Sequence, residues 1–132
     1  MDWYLMVWRK YAEFNGRSRR KEYWMFALFN MLFCGVFEVM ALMTFTSTKS
    51  SPLGILIFAV LGIYCLAAIV PGLAVSVRRL HDIGMSGWLI LIGLVPAIGG
   101  LVLLVMFLID SNPGPNQYGP NPKASPQFAA NY

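Results

Sequence analysis

Apolar residues run almost unbroken over positions 24–46, 53–77 and 88–109, and charged residues gather in the gaps between the runs. Each run holds 22 to 25 residues. As a helix rising about 1.5 Å per residue, each is long enough for a hydrocarbon layer roughly 30 Å thick. A backbone exposed to lipid must satisfy its own hydrogen bonds, which favours helices. The runs do not alternate apolar with polar positions, so they do not read as strands of a transmembrane barrel. The pattern therefore predicts three transmembrane helices.

A different pattern precedes them. At 100° per residue over 2–14, Trp3, Tyr4, Val7, Trp8, Tyr11 and Phe14 share one face, and Asp2, Arg9, Lys10 and Glu13 share the other. An aromatic-rich apolar face opposite a charged one predicts an amphipathic interfacial helix. Asn15-Gly16 is a turn signal that ends it, and a polybasic stretch from Arg17 to Lys21 leads into the first span. Tyr23 and Trp24 suit anchors at the membrane interface.

Within the spans, small and polar positions recur at helical spacing. Ala27, Asn30, Cys34, Glu38 and Ala41 share a face of the first; Gly62, Cys65, Ala68, Gly72 and Ser76 share a face of the second. Gly93, Ala97 and Gly100 recur similarly in the third. Small-xxx-small spacing lets helix backbones approach closely. Pro71 and Pro96 are expected to kink their spans. The second span is expected to run on through Arg78 and Arg79 and stop near Gly84, with Ser86 capping the third. Beyond Asp110 the chain is rich in Pro, Gly and Asn, so 110–132 reads as a flexible tail.

Composition agrees: 58% of residues are hydrophobic and 12% charged, too few charges to cover a soluble domain of this size. The placement of the ten Lys and Arg residues predicts an orientation. Six precede the first span and two (Arg78, Arg79) follow the second, while Lys49 and Lys123 fall in the other two gaps. The positive-inside rule then places the N-terminus and the second loop in the cytoplasm, and the first loop and the tail outside. The apolar stretch begins too late and runs too long for a cleavable signal, so an uncleaved signal-anchor is expected. Cys34 and Cys65 fall near mid-span, where a thiol is usually a small packing residue.

Several ordered motifs stand out: Phe14-Asn-Gly-Arg-Ser-Arg-Arg-Lys-Glu-Tyr-Trp24, Arg78-Arg-Leu-His-Asp82, Ser86-Gly-Trp88 before an apolar run with Pro96, and Pro113-Gly-Pro-Asn-Gln-Tyr-Gly-Pro-Asn-Pro122. This set resembles the YhaH-like family of small bacterial inner-membrane proteins, a domain of unknown function. The resemblance covers nearly the whole chain except the segment around the first outer loop. It implies a bacterial cytoplasmic membrane protein and no activity.

The expected fold is thus a single all-α membrane domain over 1–132: three transmembrane helices behind an N-terminal amphipathic interfacial helix. Arg17, Arg19, Arg20, Lys21, Arg78, Arg79 and His81 should share the depth of the cytoplasmic headgroups. Guanidinium groups bind phosphate oxygens in pairs, so these residues are candidate contacts for anionic lipid. Glu22 and Asp82 flank the arginines as interhelical polar partners: Glu22 is expected on Arg78 or Arg79, and Asp82 beside His81 or on Arg20. Asn30 and Glu38 are intramembrane polar residues, and such acids usually face a bundle interior, a cavity or a partner.

No phosphate loop, dinucleotide fold motif, metal cluster or catalytic triad is visible, so no enzyme activity, cofactor or metal is expected. The net charge of +4 is concentrated beside the membrane, which points to lipid and not to nucleic acid. The resulting reading is a non-enzymatic inner-membrane protein that contacts anionic lipid and assembles with itself or another membrane protein. The alternative is a subunit of a channel or proton-coupled transporter using Glu38 and Asn30.

Overall fold

The computed structural model describes residues 2–47 and 52–124. The outer connector with Lys49 and residues 125–132 of the tail lie outside the described residues. The described chain is helical: α1 (Asp2–Arg9), α2 (Arg20–Ser47), α3 (Pro52–Asp82), a 3₁₀ segment (Gly87–Leu94) and α4 (Gly99–Leu108). There is no β-strand among the described residues.

Two helices, α2 and α3, are long and apolar enough to cross a bilayer. With 28 and 31 residues they extend for about 42 and 46 Å. The helices are antiparallel: near its start α2 meets the end of α3, Glu22 with Arg78, and further along it meets the middle of α3, Asn30 with Tyr64 and Cys34 with Cys65. Parts of the small and polar stripes face each other, at Asn30, Cys34, Cys65 and Gly72, while Glu38 and Gly62 are exposed. A side chain at Gly72 would already touch Phe26 at 3.7 Å. Ala41 and Gly54 are buried at the far end of the pair. Outward positions carry exposed Leu, Ile, Val, Met and Phe, the surface expected against lipid.

The N-terminal helix is shorter than the sequence pattern predicts, ending at Arg9 and not at residue 14. Its last turn loosens through Lys10 and Glu13, and Gly16 adopts a positive φ of 87° that turns the chain back into the bundle. The reversal lets the Ser18 amide donate to the Arg78 carbonyl at 3.1 Å. The apolar face of α1 is used on α2 and α3. Val7 is fully buried with Phe26 and Val75, and the Tyr4 ring stacks on Phe26 at 5.7 Å. Tyr11 and Phe14, beyond the helix, stay exposed.

The third apolar run is not a single helix. It is a hairpin of the 3₁₀ segment and α4, broken at Val95–Ile98. Pro96 has no N–H to continue a helical ladder. Ala97 takes a left-handed φ of 65°, the one non-glycine residue with positive φ among the described residues. Gly99 makes the reversal possible, because a Cβ there would lie 1.9 Å from the Ile92 carbonyl oxygen. A straight helix over 88–109 would carry its end about 33 Å from its start. The hairpin instead returns it, so that the Asn112 amide donates to the Asp82 carbonyl at 3.1 Å. Leu80, Ile83 and Phe107 form the core that holds the hairpin to α3, with Tyr23 of α2 packed 4.4 Å from Phe107.

Candidate functional site

The C-terminus of α3 gathers most of the chain's buried charge. Gly84, at φ 79°, ends the helix: its amide donates to the His81 carbonyl and the Met85 amide to that of Leu80, a Schellman closure. The final turn therefore presents Arg78, Arg79, His81 and Asp82 in fixed directions. Arg78 Nη1 donates to Glu22 Oε1 at 2.9 Å, joining α3 to α2, and both side chains are buried. Asp82 is fully buried and accepts from two cations: Arg17 Nε at 2.9 Å on Oδ1, and Arg79 Nη1 at 2.5 Å on Oδ2. The Ser111 hydroxyl adds a third donor at 2.5 Å. An acid at a helix C-terminus opposes the helix dipole; two guanidinium groups offset that here.

The same arginines hold the tail. Arg17 donates through Nη1 to the Gly114 carbonyl at 2.7 Å and through Nη2 to that of Asn112 at 2.8 Å. Arg19 donates to the Pro122 carbonyl through Nε and Nη2, at 3.0 and 2.5 Å. Arg79 reaches the carbonyls of Phe107 and Ile109, which the end of α4 leaves without helical partners. Asn116 and Gly119 exchange backbone hydrogen bonds in a tight turn, and Asn116 Nδ2 donates to the His81 carbonyl at 2.8 Å. Residues 110–124 are thus docked, where the sequence predicts a flexible segment. Asp110 and Lys123 form an exposed pair at 2.6 Å, and this hydrogen bond holds the Asp110 carboxyl below its usual range.

The candidate headgroup contacts divide. Arg17, Arg19, Arg78 and Arg79 are inside the protein, at most 9% exposed, and donate to carboxylates and carbonyls, Arg78 Nη2 excepted. Their neighbours Arg20 and Lys21 remain half-buried and exposed. His81 is also buried; its Nδ1 lies 3.2 Å from the Gly16 carbonyl, and Asp82 faces Arg17 and Arg79 in place of His81 or Arg20.

At mid-span, Tyr64 donates to Asn30 Oδ1 at 2.8 Å and accepts from Tyr4 at 2.8 Å, while Asn30 Nδ2 donates to the Phe26 carbonyl. The sequence places Tyr4 on the aromatic face of the N-terminal helix and leaves Tyr64 unremarked, because a tyrosine in an apolar run reads as bulk. A hydroxyl opposite an intramembrane Asn was the available signal. The Cys34 and Cys65 thiols are free and 3.8 Å apart. Glu38 is exposed on α2. No group of three or more His, Cys, Asp or Glu side chains among the described residues is placed to hold a metal ion.

Residues 11–120 match the family described as protein of unknown function (DUF805), and the chain belongs to that family. It is 43% identical over 123 residues to "Inner membrane protein YhaI" of Escherichia coli (strain K12), covering 93% of this chain and 97% of that protein. It is 42% identical over 126 residues to "Inner membrane protein YhaH" of the same strain, covering 96% of this chain and 100% of that protein. No solved structure matches the chain. The chain is therefore a membrane protein of a family whose members include named inner-membrane proteins.

Proposed function

We propose that this is a non-enzymatic, multi-pass inner-membrane protein whose role is assembly with another membrane chain, anchored by lipid contact at one face. In this reading α2 and α3 cross the bilayer. The third run enters from the arginine side and returns as a re-entrant hairpin. Its arms are about 16 Å (3₁₀) and 15 Å (α) long, each roughly half a bilayer. The N-terminal segment and the docked tail then share the cytoplasmic side. Nine of the ten Lys and Arg residues fall on that side, with Lys49 alone across the membrane, a stronger positive-inside bias than three full spans give.

Glu38 carries the assembly reading. It is exposed on α2, 18 residues past Arg20 and so about 27 Å along the helix, amid bare Met31, Val39 and Leu42. A carboxyl facing hydrocarbon is costly, and such groups are covered by protein or water. A second copy, or a partner with a polar residue at the same depth, supplies the cover. Lipid contact falls to the surface cations: Arg9 and Lys21 are exposed, Lys10 and Arg20 half-buried. Each contributes roughly 1 kcal/mol beside an anionic leaflet.

The test is crosslinking of Met31→Cys in a Cys34→Ala/Cys65→Ala background, in native membranes. Capture of a discrete partner or dimer, lost in Glu38→Leu, is the expected result. A clean monomer by crosslinking and by native mass spectrometry in membrane lipid contradicts it. The transport reading uses the same carboxyl, but the side chain of Asn30 is already committed to Tyr64 and Phe26. Glu38→Gln separates the two: it abolishes transport and leaves assembly.

A further inference from the structure

A cavity of about 530 Å³ lies at the arginine end, between the last turns of α3, the start of the 3₁₀ segment and the Phe14–Asn15 loop, with Tyr118 of the docked tail at its edge. That volume is within the roughly 300–1,000 Å³ of small-molecule sites. Its walls are apolar: Phe14, Leu73, Val77, Trp88 and Ile90. One polar group is fixed among them. His81 is 8% exposed. Its Nδ1 faces the Gly16 carbonyl at 3.2 Å, and because a carbonyl only accepts, Nδ1 carries the proton. In the neutral ring Nε2 is then an acceptor, and it has no hydrogen-bond partner among the described residues.

Two features keep this acceptor set and uncovered. Tyr118 stacks on the imidazole with centroids 3.8 Å apart and planes 5° from parallel, which fixes the ring. Gly87 stands where any side chain would be 3.1 Å from Nε2 and 2.6 Å from Val77 Cγ1. The rim carries Asn15 and Ser86, and Trp88 beside them is 79% exposed. A polar rim with an aromatic anchor above an apolar slot matches the boundary between headgroups and acyl chains.

We propose that the cavity binds an uncharged lipid alcohol, its hydroxyl donating to His81 Nε2 and its apolar chain lying along Leu73, Val77 and Ile90. The inference rests on the membrane placement of α3 and the hairpin and is independent of the assembly reading. No Lys or Arg lines the cavity among the described residues, so a phosphate headgroup would enter without a counter-charge. Nε2 in this tautomer accepts and does not donate, which matches a hydroxyl and leaves a phosphate oxygen unmatched.

The test is native mass spectrometry of the full-length protein in neutral micelles, with equal amounts of 1,2-dioleoylglycerol and its O-methyl ether. The ether keeps the chains and removes the donor. The wild type is expected to retain the alcohol roughly three- to tenfold over the ether, the worth of one neutral hydrogen bond. Leu73→Phe narrows the slot without touching His81 and should abolish retention of both. His81→Phe keeps a ring for Tyr118 and should remove the preference. Thermal melting checks that each variant is folded; if His81→Phe is not, the alcohol–ether comparison and Leu73→Phe decide the matter. Equal retention, no retention by the wild type, or retention unchanged in Leu73→Phe each overturns the proposal.

Discussion

Asp82 accepts from Arg17, Arg79 and Ser111 while fully buried. A buried ion pair adds little net stability over apolar packing, yet removing one partner strands the other charge. Asp82→Asn strands two guanidinium groups at once and should destabilise the protein by about 3–5 kcal/mol. The readout is thermal or denaturant unfolding in micelles; a melting temperature unchanged from wild type sinks the account of this cluster. Glu22 and Arg78 make a cleaner pair. Arg78 Nη2 is buried without a hydrogen-bond partner in the protein, so Glu22 is the one side chain among the described residues that compensates this cation. A cycle of Glu22→Gln and Arg78→Gln should give a coupling of about 0.5–3 kcal/mol, whereas additivity within error contradicts the contact. The charges and their flanking acids were visible in the sequence. Their burial was not, because basic clusters beside apolar runs are usually topology signals at the surface. The docked tail meets Arg17 and Arg19 largely through its carbonyl groups, which leave no side-chain signature in the sequence.

The third run shows how an element can be misread. Its 22 apolar residues satisfy the length of a span, and hydropathy does not distinguish one crossing from two half-crossings. The reversal depends on a few positions: Pro96, Ala97 and Gly99. Proline and small residues are common in membrane helices, so Pro96 reads as a kink and Ala97 as part of a packing stripe, and Gly99 carries no signal of its own. The two geometries predict opposite signs for one substitution. In a continuous helix Ala97→Gly costs about 1 kcal/mol. In the hairpin it relieves a left-handed residue and should stabilise by about 1 kcal/mol. Unfolding of the purified variant measures the sign directly. Gly99→Ala should act the other way: its Cβ has no room beside the Ile92 carbonyl, and the loss should be about 1–3 kcal/mol. The first two long runs posed no such ambiguity, since each folds as one long helix, α2 and α3, packed against the other at Glu22–Arg78, Asn30–Tyr64 and Cys34–Cys65. The N-terminal segment was legible as a helix but not in extent: it ends at Arg9, residues 11–15 stay exposed, and the turn at Gly16 brings the chain back to the bundle at Arg17.

For the whole molecule, these local contacts become a statement about sides. A tail that docks on Arg17 and Arg19 must share the compartment of the N-terminal segment, and the hairpin is what returns it there. Charge counting over three spans put the tail outside. Under the proposed two crossings and one re-entrant hairpin, the same count puts the tail on the side of the N-terminal segment. The direct measurement is side-specific labelling of Gln117→Cys, an exposed position in the docked tail, in the Cys34→Ala/Cys65→Ala background. A membrane-impermeant maleimide is applied to spheroplasts and to inverted membrane vesicles, with Lys21→Cys as the cytoplasmic control. The account predicts labelling of Gln117→Cys in inverted vesicles only, alongside the control. Labelling in intact spheroplasts would put the tail across the membrane, make the third run a full span, and contradict the hairpin and the docked arginine cluster together.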